Sequence, residues 1–291
     1  MKMGTKQLNE SVCTVCETLI SSSADICHGC GELLGAPNVR SVNKEEEKRA
    51  LEERYKRALE RAAELGTQDR LKAFSQEMKG TCAVVNVDIS FLHTFITNEK
   101  ILYTSYSLGV RGQVRKPAEE DDDRQRLGVE GTLFGSYGEK IRYAALSLDG
   151  AGVSSYGSYS LKLREIAISG RSTLLEDNSY VFVEKHGIIA GKALPKGYRS
   201  TWEEREKLAL AKLADRITTV TPQPGYASIL LFSEGDFKTD DFIEIHIYGP
   251  FDAHSIESVR GSSTSENKGE AALIETVKEH LENSGKAWIE A

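Results

Sequence analysis

Four cysteines near the start constrain this chain more than anything else in it: Cys13-Thr-Val-Cys16, ten intervening residues, then Cys27-His-Gly-Cys30. A CxxC pair turns tightly enough for both thiolates to reach one ion at roughly 2.3 Å, and two pairs complete the tetrahedral set that zinc prefers. The spacing therefore predicts one structural zinc ion held by Cys13, Cys16, Cys27 and Cys30 in a small zinc ribbon over residues 1–36. Ten residues between the pairs leave room for a loop or a rudimentary hairpin. Gly29, inside the second pair, offers a position free to take positive φ, and His28 is read as facing solvent. The alternatives are two disulfides or four unrelated thiols. Four thiolates leave no open position for water, so the metal is expected to hold structure rather than to catalyse. So short a segment has almost no core of its own, and metal binding is its folding energy.

Composition sets the context for that reading. Of five cysteines only Cys82 stands apart, and in a cytosolic chain clustered pairs point to metal rather than to disulfides. With 40% hydrophobic and 28% charged residues in 291, the chain suits a globular protein with one sizeable core and a small accessory module. No stretch approaches the about eighteen apolar residues that span a bilayer. The start, MKMGTKQLNE, lacks the apolar segment of a signal peptide, so the expected location is cytoplasmic, away from membranes. A net charge of -7 argues against non-specific coating of nucleic acid, although a local basic patch is still compatible with it.

After a short linker, residues 37–79 read as a charged helical spacer. Leu51, Tyr55, Ala58, Leu59, Ala62 and Leu65 recur at helical spacing, Asn43 with Glu46 fits a capping box, and Gly66 interrupts the helix before a second piece running to about Met78. That stripe packs on the main domain or supports self-association. Residues 80–291 read as one α+β domain. Strands are expected at AVVNVDI, KIRYAALSL, SYSLKLREI, SYVFVEK and ASILLFS, with a helix and then a strand in SFLHTFITNEKILYTSYS. Gly109 to Gly138, with its acidic run Glu119 to Asp123, is expected to be a long loop. Thr201 and Glu204 form a capping box before a helix carrying Trp202, Leu208, Leu210 and Leu213, and a last helix is expected from about Gly269 to Glu282.

The segment FIEIHIYGP bears most directly on chemistry. Ile243, Ile245 and Ile247 alternate with Glu244, His246 and Tyr248, so a strand puts the isoleucines on one face and Glu244 beside His246 on the other. An edge strand with one wet face explains the same pattern. Further polar groups lie at Tyr156, Tyr159, Arg171, Ser172, Thr173, Asp177, Asn178 and Ser179. Such a set holds ribose or phosphate oxygens, or builds an ordinary turn. Arg126 and Glu130 either pair on one helical turn or contact a ligand, and Tyr103, Thr104 and Ser105 end a strand.

The order of these pieces, an Arg and Glu before LFG, YGxxxLxL with RST, and a late strand with its Glu before Gly-Pro, resembles bacterial proteins of the ADP-ribosyltransferase type over Val84 to about Val259. The resemblance implies that Glu244 hydrogen-bonds the nicotinamide ribose of NAD, with His246 standing where the family often has Glu or Gln. It implies an early arginine on NAD, left open among Arg111, Arg124 and Arg126, and a middle motif at Tyr156 with Ser158 or at Ser172 with Thr173. Tyr103 or Tyr156 would stack on the nicotinamide. On this reading Glu244 and His246 are catalytic, and Tyr103, Arg124, Arg126, Tyr156, Arg171, Ser172 and Thr173 bind NAD as substrate. No GxGxxG or GxxxxGK[ST] segment supports a Rossmann site or a P-loop. The expected function is an ADP-ribosyltransferase, toxin- or effector-like, whose ribbon recognises a macromolecular target. The alternatives are a non-catalytic zinc-ribbon protein binding nucleic acid or a protein partner, and a nuclease using Glu244 and His246.

Overall fold

The computed structural model describes residues 10–21, 23–105, 120–236 and 239–291. Strands β1 (Glu10–Val12) and β2 (Leu19–Ser21) form an antiparallel hairpin carrying the first cysteine pair. Helices α1 (Pro37–Val42), α2 (Glu45–Glu64) and α3 (Gln68–Met78) follow. The remainder alternates strands and helices: β3 (Cys82–Val87), α4 (Ile89–Thr97), α5 (Glu120–Phe134), β4 (Ile141–Ser147), β5 (Tyr159–Leu163), α6 (Glu165–Ile168), β6 (Ser172–Leu175) and α7 (Ser179–Lys185). Then come β7 (Arg199–Thr201), α8 (Arg205–Leu213), α9 (Tyr226–Leu230), β8 (Glu244–Tyr248), β9 (Ile256–Gly261), α10 (Lys268–Asn283) and β10 (Ala287–Glu290). The class is α+β, with one mixed eight-stranded sheet in the order β10-β9-β5-β3-β4-β8-β6-β7, antiparallel except for β9 beside β10.

Register assigns the two faces. Ile245 pairs with Ala144 and Leu174, and these join Ile247, Val85 and Leu161 in the main core with apolar residues of α2, α3, α4, α8, α9 and α10. Burying each of the two isoleucines stabilises the fold by about 1.5–3 kcal/mol. Leu51, Ala58 and Ala62 of α2 enter that same core, so most of its apolar stripe is spent on packing within the chain, while Leu59 and Leu65 stay exposed. On the opposite face, Tyr143 pairs with His246 and His246 with Thr173, while Ala145 pairs with Glu244 and Glu244 with Leu175. A second, smaller core covers part of this face, formed by Leu133, Phe134, Tyr137, Ile141, Leu175, Phe182 and Ile188.

Several local expectations are corrected. Residues 120–134 are helix α5, followed by a 3-10 turn at Gly135–Lys140, and not part of a loop. Gly128 and Gly131 each cost about 1 kcal/mol in a helix, which burial of Leu133, Phe134 and Tyr137 outweighs. SYVFVEK is helix α7, because the Asn178 side chain accepts from Tyr180 N and caps it while Phe182 turns fully inward. ASILLFS begins as helix α9, and Phe232 then bridges Asp241. Ser172 and Thr173 belong to strand β6 rather than to a turn. Tyr103 makes a single bridge to Phe251 rather than ending a strand. Neither capping box forms: Lys44 precedes α2, and Glu204 precedes α8, without a side-chain cap. No helix among the described residues is long and apolar enough to cross a membrane.

Candidate metal centre and candidate active site

The four thiols meet as the spacing requires. The Sγ atoms of Cys13, Cys16, Cys27 and Cys30 all lie within 4.8 Å of one another. Cys13 and Cys30 are 3.7 Å apart and Cys16 and Cys27 3.6 Å. A tetrahedron with metal–sulfur bonds of about 2.3 Å has edges of about 3.8 Å, so this donor set fits zinc. The two pairs are built alike. Cys13 N donates to Thr18 O at 2.9 Å and Glu17 N to Cys13 O at 2.9 Å; Cys27 N donates to Glu32 O at 2.8 Å and Gly31 N to Cys27 O at 2.8 Å. The residue after each second cysteine is therefore left-handed, Glu17 at φ 59° and Gly31 at φ 76°. Positive φ belongs to Gly31 and not to Gly29. Gly29 is small for a different reason: a Cβ there would stand 2.3 Å from Thr18 Oγ1. His28 is exposed, as expected.

The second centre lies on the smaller-core face of the sheet. Glu244 and His246, two apart on β8, both point there and are buried. His246 Nε2–H donates to Glu244 Oε1 at 2.8 Å. The same carboxylate accepts from Ser179 N at 3.1 Å, from Ser179 Oγ, and through Oε2 from Asn178 Nδ2 at 3.4 Å. Those donors stand at the start of α7, where orphan amides favour an anion. Asp177, the preceding residue, pairs with Lys185 at 2.8 Å and Lys212 at 3.0 Å and fixes this turn in place. Ser179 Oγ also lies 3.1 Å from His246 Nε2. Acid and hydroxyl thus share one ring nitrogen, whereas a hydrolase triad puts them on opposite nitrogens.

Aromatic rings and a further acid close the cluster. Phe134 and Tyr143 meet His246 edge-on, with centroids 4.8 Å and 5.4 Å away. Tyr156 is half-exposed, but its hydroxyl end turns in to accept from Asn178 Nδ2 at 3.2 Å. Burial of that end and the Glu244 charge push its phenol up to about 12. Burial, with the Glu130 and Glu244 charges, also holds the Tyr143 phenol well above its ordinary value. Glu130 of α5 is 3% exposed, near the Tyr143 hydroxyl. Burial drives its carboxyl up to about 7 against the pull of Arg126. The Arg126 charge also bears on Tyr143 and Tyr156.

The structure therefore brings together Glu244, His246, Tyr156, Asn178 and Ser179 from the sequence-derived set, with the Arg126 charge bearing on Tyr156. It places Tyr103, Arg171 and Ser172 elsewhere and leaves Thr173 beside His246. Tyr103 stacks on Phe251 at 4.7 Å in the main core. Arg171 Nη1 donates to the carbonyls of Tyr248 (2.6 Å), Gly249 (3.0 Å) and Pro250 (3.0 Å), clamping the end of β8. Ser172 Oγ donates to Ile168 O at 2.8 Å, fully buried. Thr173 shares the face of His246 and accepts from Asn38 at 3.4 Å. Arg111 and the side chain of Arg124 lie outside the described residues. Glu130 stood in the sequence as an ion-pair partner of Arg126 or a ligand contact, and Tyr143 and Asn38 carried no signal; their part depends on register and on a distant segment. The chain matches no protein-family model and no curated protein. The likeness to ADP-ribosyltransferases thus rests on its residues alone.

Proposed function

We propose that the Glu244 cluster is the active site of an NAD-dependent ADP-ribosyltransferase. The observation that carries this reading is the meeting of Glu244, His246, Tyr156, Asn178 and Ser179, supplied by three separate parts of the chain, around one buried carboxylate. Breaking the glycosidic bond sends its electron pair to the departing nicotinamide nitrogen and leaves positive charge on the ribose. Glu244, held in place by Ser179, Asn178 and His246, stabilises that charge. Tyr156, half-exposed, offers a ring for the nicotinamide, and Arg126 a cation for phosphate. The ribbon, which exposes Val12, Val15, Leu19, Ile26 and Leu33, selects the macromolecular acceptor.

Incubating the zinc-loaded full chain with NAD and reading nicotinamide release tests this. Turnover is expected, and Glu244→Gln should lower it by roughly 100-fold or more. A wild-type protein that neither binds nor cleaves NAD refutes the reading. One observation favours a non-catalytic zinc-ribbon protein binding nucleic acid or a protein: Glu244 and His246 are buried, and the void beside His246 is only about 10 Å³. A salt-dependent nucleic-acid shift lost in Cys13→Ser and kept in Glu244→Gln would establish that alternative.

A further inference from the structure

Ligand sites of drug-sized molecules occupy about 300–1,000 Å³, so the void beside His246 admits no dinucleotide until something leaves. Its lining names the occupant. Asn38, Ser41 and Val42 of α1 face Phe134, Thr173 and His246 across it. Helix α1 has six residues, far below the length at which a helix is stable by itself, so its position depends on what it touches. The main polar tie is Asn38, 2% exposed. Its Nδ2 donates to His246 O at 2.9 Å, to Arg171 O at 3.1 Å and to Thr173 Oγ1 at 3.4 Å. Two carbonyl acceptors fix the amide's orientation and leave Oδ1 buried without a partner among the described residues. An orphaned buried acceptor costs about 1–3 kcal/mol. The tie is specific in geometry and imperfect in energy, as suits a contact that must let go.

The ribbon that precedes α1 is itself tied to the end of β8. Tyr248, last residue of the strand that carries Glu244 and His246, donates its hydroxyl to Asp25 Oδ1 at 2.9 Å. Lys140 Nζ reaches Asp25 Oδ2 at 3.5 Å and Tyr248 Oη at 3.0 Å. Asp25 stands two residues before Cys27, and Asp25 O accepts from Leu34 N at 2.9 Å, so the second metal pair shapes this contact. Gly35, at φ 70°, joins ribbon to α1 in a conformation that gives an L side chain strain, and Arg40 Nη1 ties back to its carbonyl at 2.8 Å.

We propose that α1 is a latch over the Glu244 site, kept shut by the zinc-loaded ribbon and opened when the ribbon is drawn away or loses its metal. This deepens the function proposed above, since it treats the cluster as a site. Lifting α1 removes Asn38 from His246 O and Thr173, joins the void to solvent and exposes His246. The test reads access directly and needs no NAD. The full chain is treated with diethyl pyrocarbonate, and modification of His246 is followed by peptide mass spectrometry against exposed His28. In zinc-loaded wild type His246 reacts slowly. Asn38→Ala, Tyr248→Phe and zinc removal by a chelator should each speed its modification by roughly tenfold or more, with His28 unchanged in the two zinc-loaded variants. Hydrogen exchange of the peptide spanning residues 36–43 should accelerate in the same samples. Tyr248→Phe lies outside α1 and the metal pairs, so it keeps the test intact should Asn38→Ala fold poorly. Modification and exchange rates within about twofold of zinc-loaded wild type in both Tyr248→Phe and the chelated protein overturn the latch. Opening without NAD turnover overturns the transferase and leaves the latch standing.

Discussion

Glu130 places an acid in a setting where it resists ionisation, and that has a measurable thermodynamic consequence. Its carboxyl, ordinarily near 4.5, is raised to about 7, first by burial and then by the Glu139 charge, against the pull of Arg126, Tyr143 and Arg142. The folded state therefore binds more protons than the unfolded chain between those two values. Stability contributed by the neutral acid is present in full below about 4.5 and is lost as pH rises towards 7. At 1.36 kcal/mol per pH unit, a gap of about 2.5 units corresponds to roughly 3 kcal/mol. Glu130→Gln removes the titration while keeping the shape. Its stability relative to wild type should climb by roughly 3 kcal/mol from pH 4.5 to 8 and level off above 8. Urea denaturation of both proteins across that range measures the difference, and loss of zinc at low pH is common to both and cancels. A difference that stays within about 0.5 kcal/mol across the range, or falls with pH, refutes the account of Glu130 as a buried neutral acid.

Glu17→Gly relieves a left-handed residue in the first metal pair, worth about 1 kcal/mol, and should tighten zinc binding roughly fivefold in a chelator competition; weaker binding would contradict the pairwise likeness of the two knuckles. Arg171→Met strips the end of β8 of its donor to three carbonyls and should destabilise the fold by about 2–3 kcal/mol in urea. Nicotinamide release per folded molecule is expected to stay within about twofold of wild type, since Arg171 stands outside the cluster; a collapse of turnover at full stability would restore it to the substrate site.

The parts of this molecule that could be read in its sequence are those set by short-range rules. The metal pairs follow from spacing, and β8 follows from strict alternation over five residues, which by itself sets Glu244 beside His246 on one face. Helix α7 could not be read that way. SYVFVEK carries the β-branched and aromatic residues of a strand, and its helix is decided by the Asn178 cap and by a pocket for Phe182 that other segments build. Strand β6 was hidden in RST, whose hydroxyls resemble a turn until β8 lies alongside. Asn38 was beyond reach for a plainer reason. Its acceptors lie 133 and 208 residues away, so nothing local marks it. Glu130 was visible as a charge, but its burial exists only once α5 has settled on the sheet.

Strand order also sets a timetable. The ribbon can close on its metal as soon as Cys30 is available, because its contacts are local. Helix α1 cannot seat at that stage. Its acceptors come from Arg171 and His246, and β8 must first insert between β4 and β6, both of which are made well before it. Such late, long-range pairing is slow. A growing chain therefore carries a four-cysteine module on a loose tether while the sheet beside β4 waits for its missing strand, and α1 can seat only after β8 is in place. A partner that meets the ribbon during that interval meets it before α1 has anything to hold.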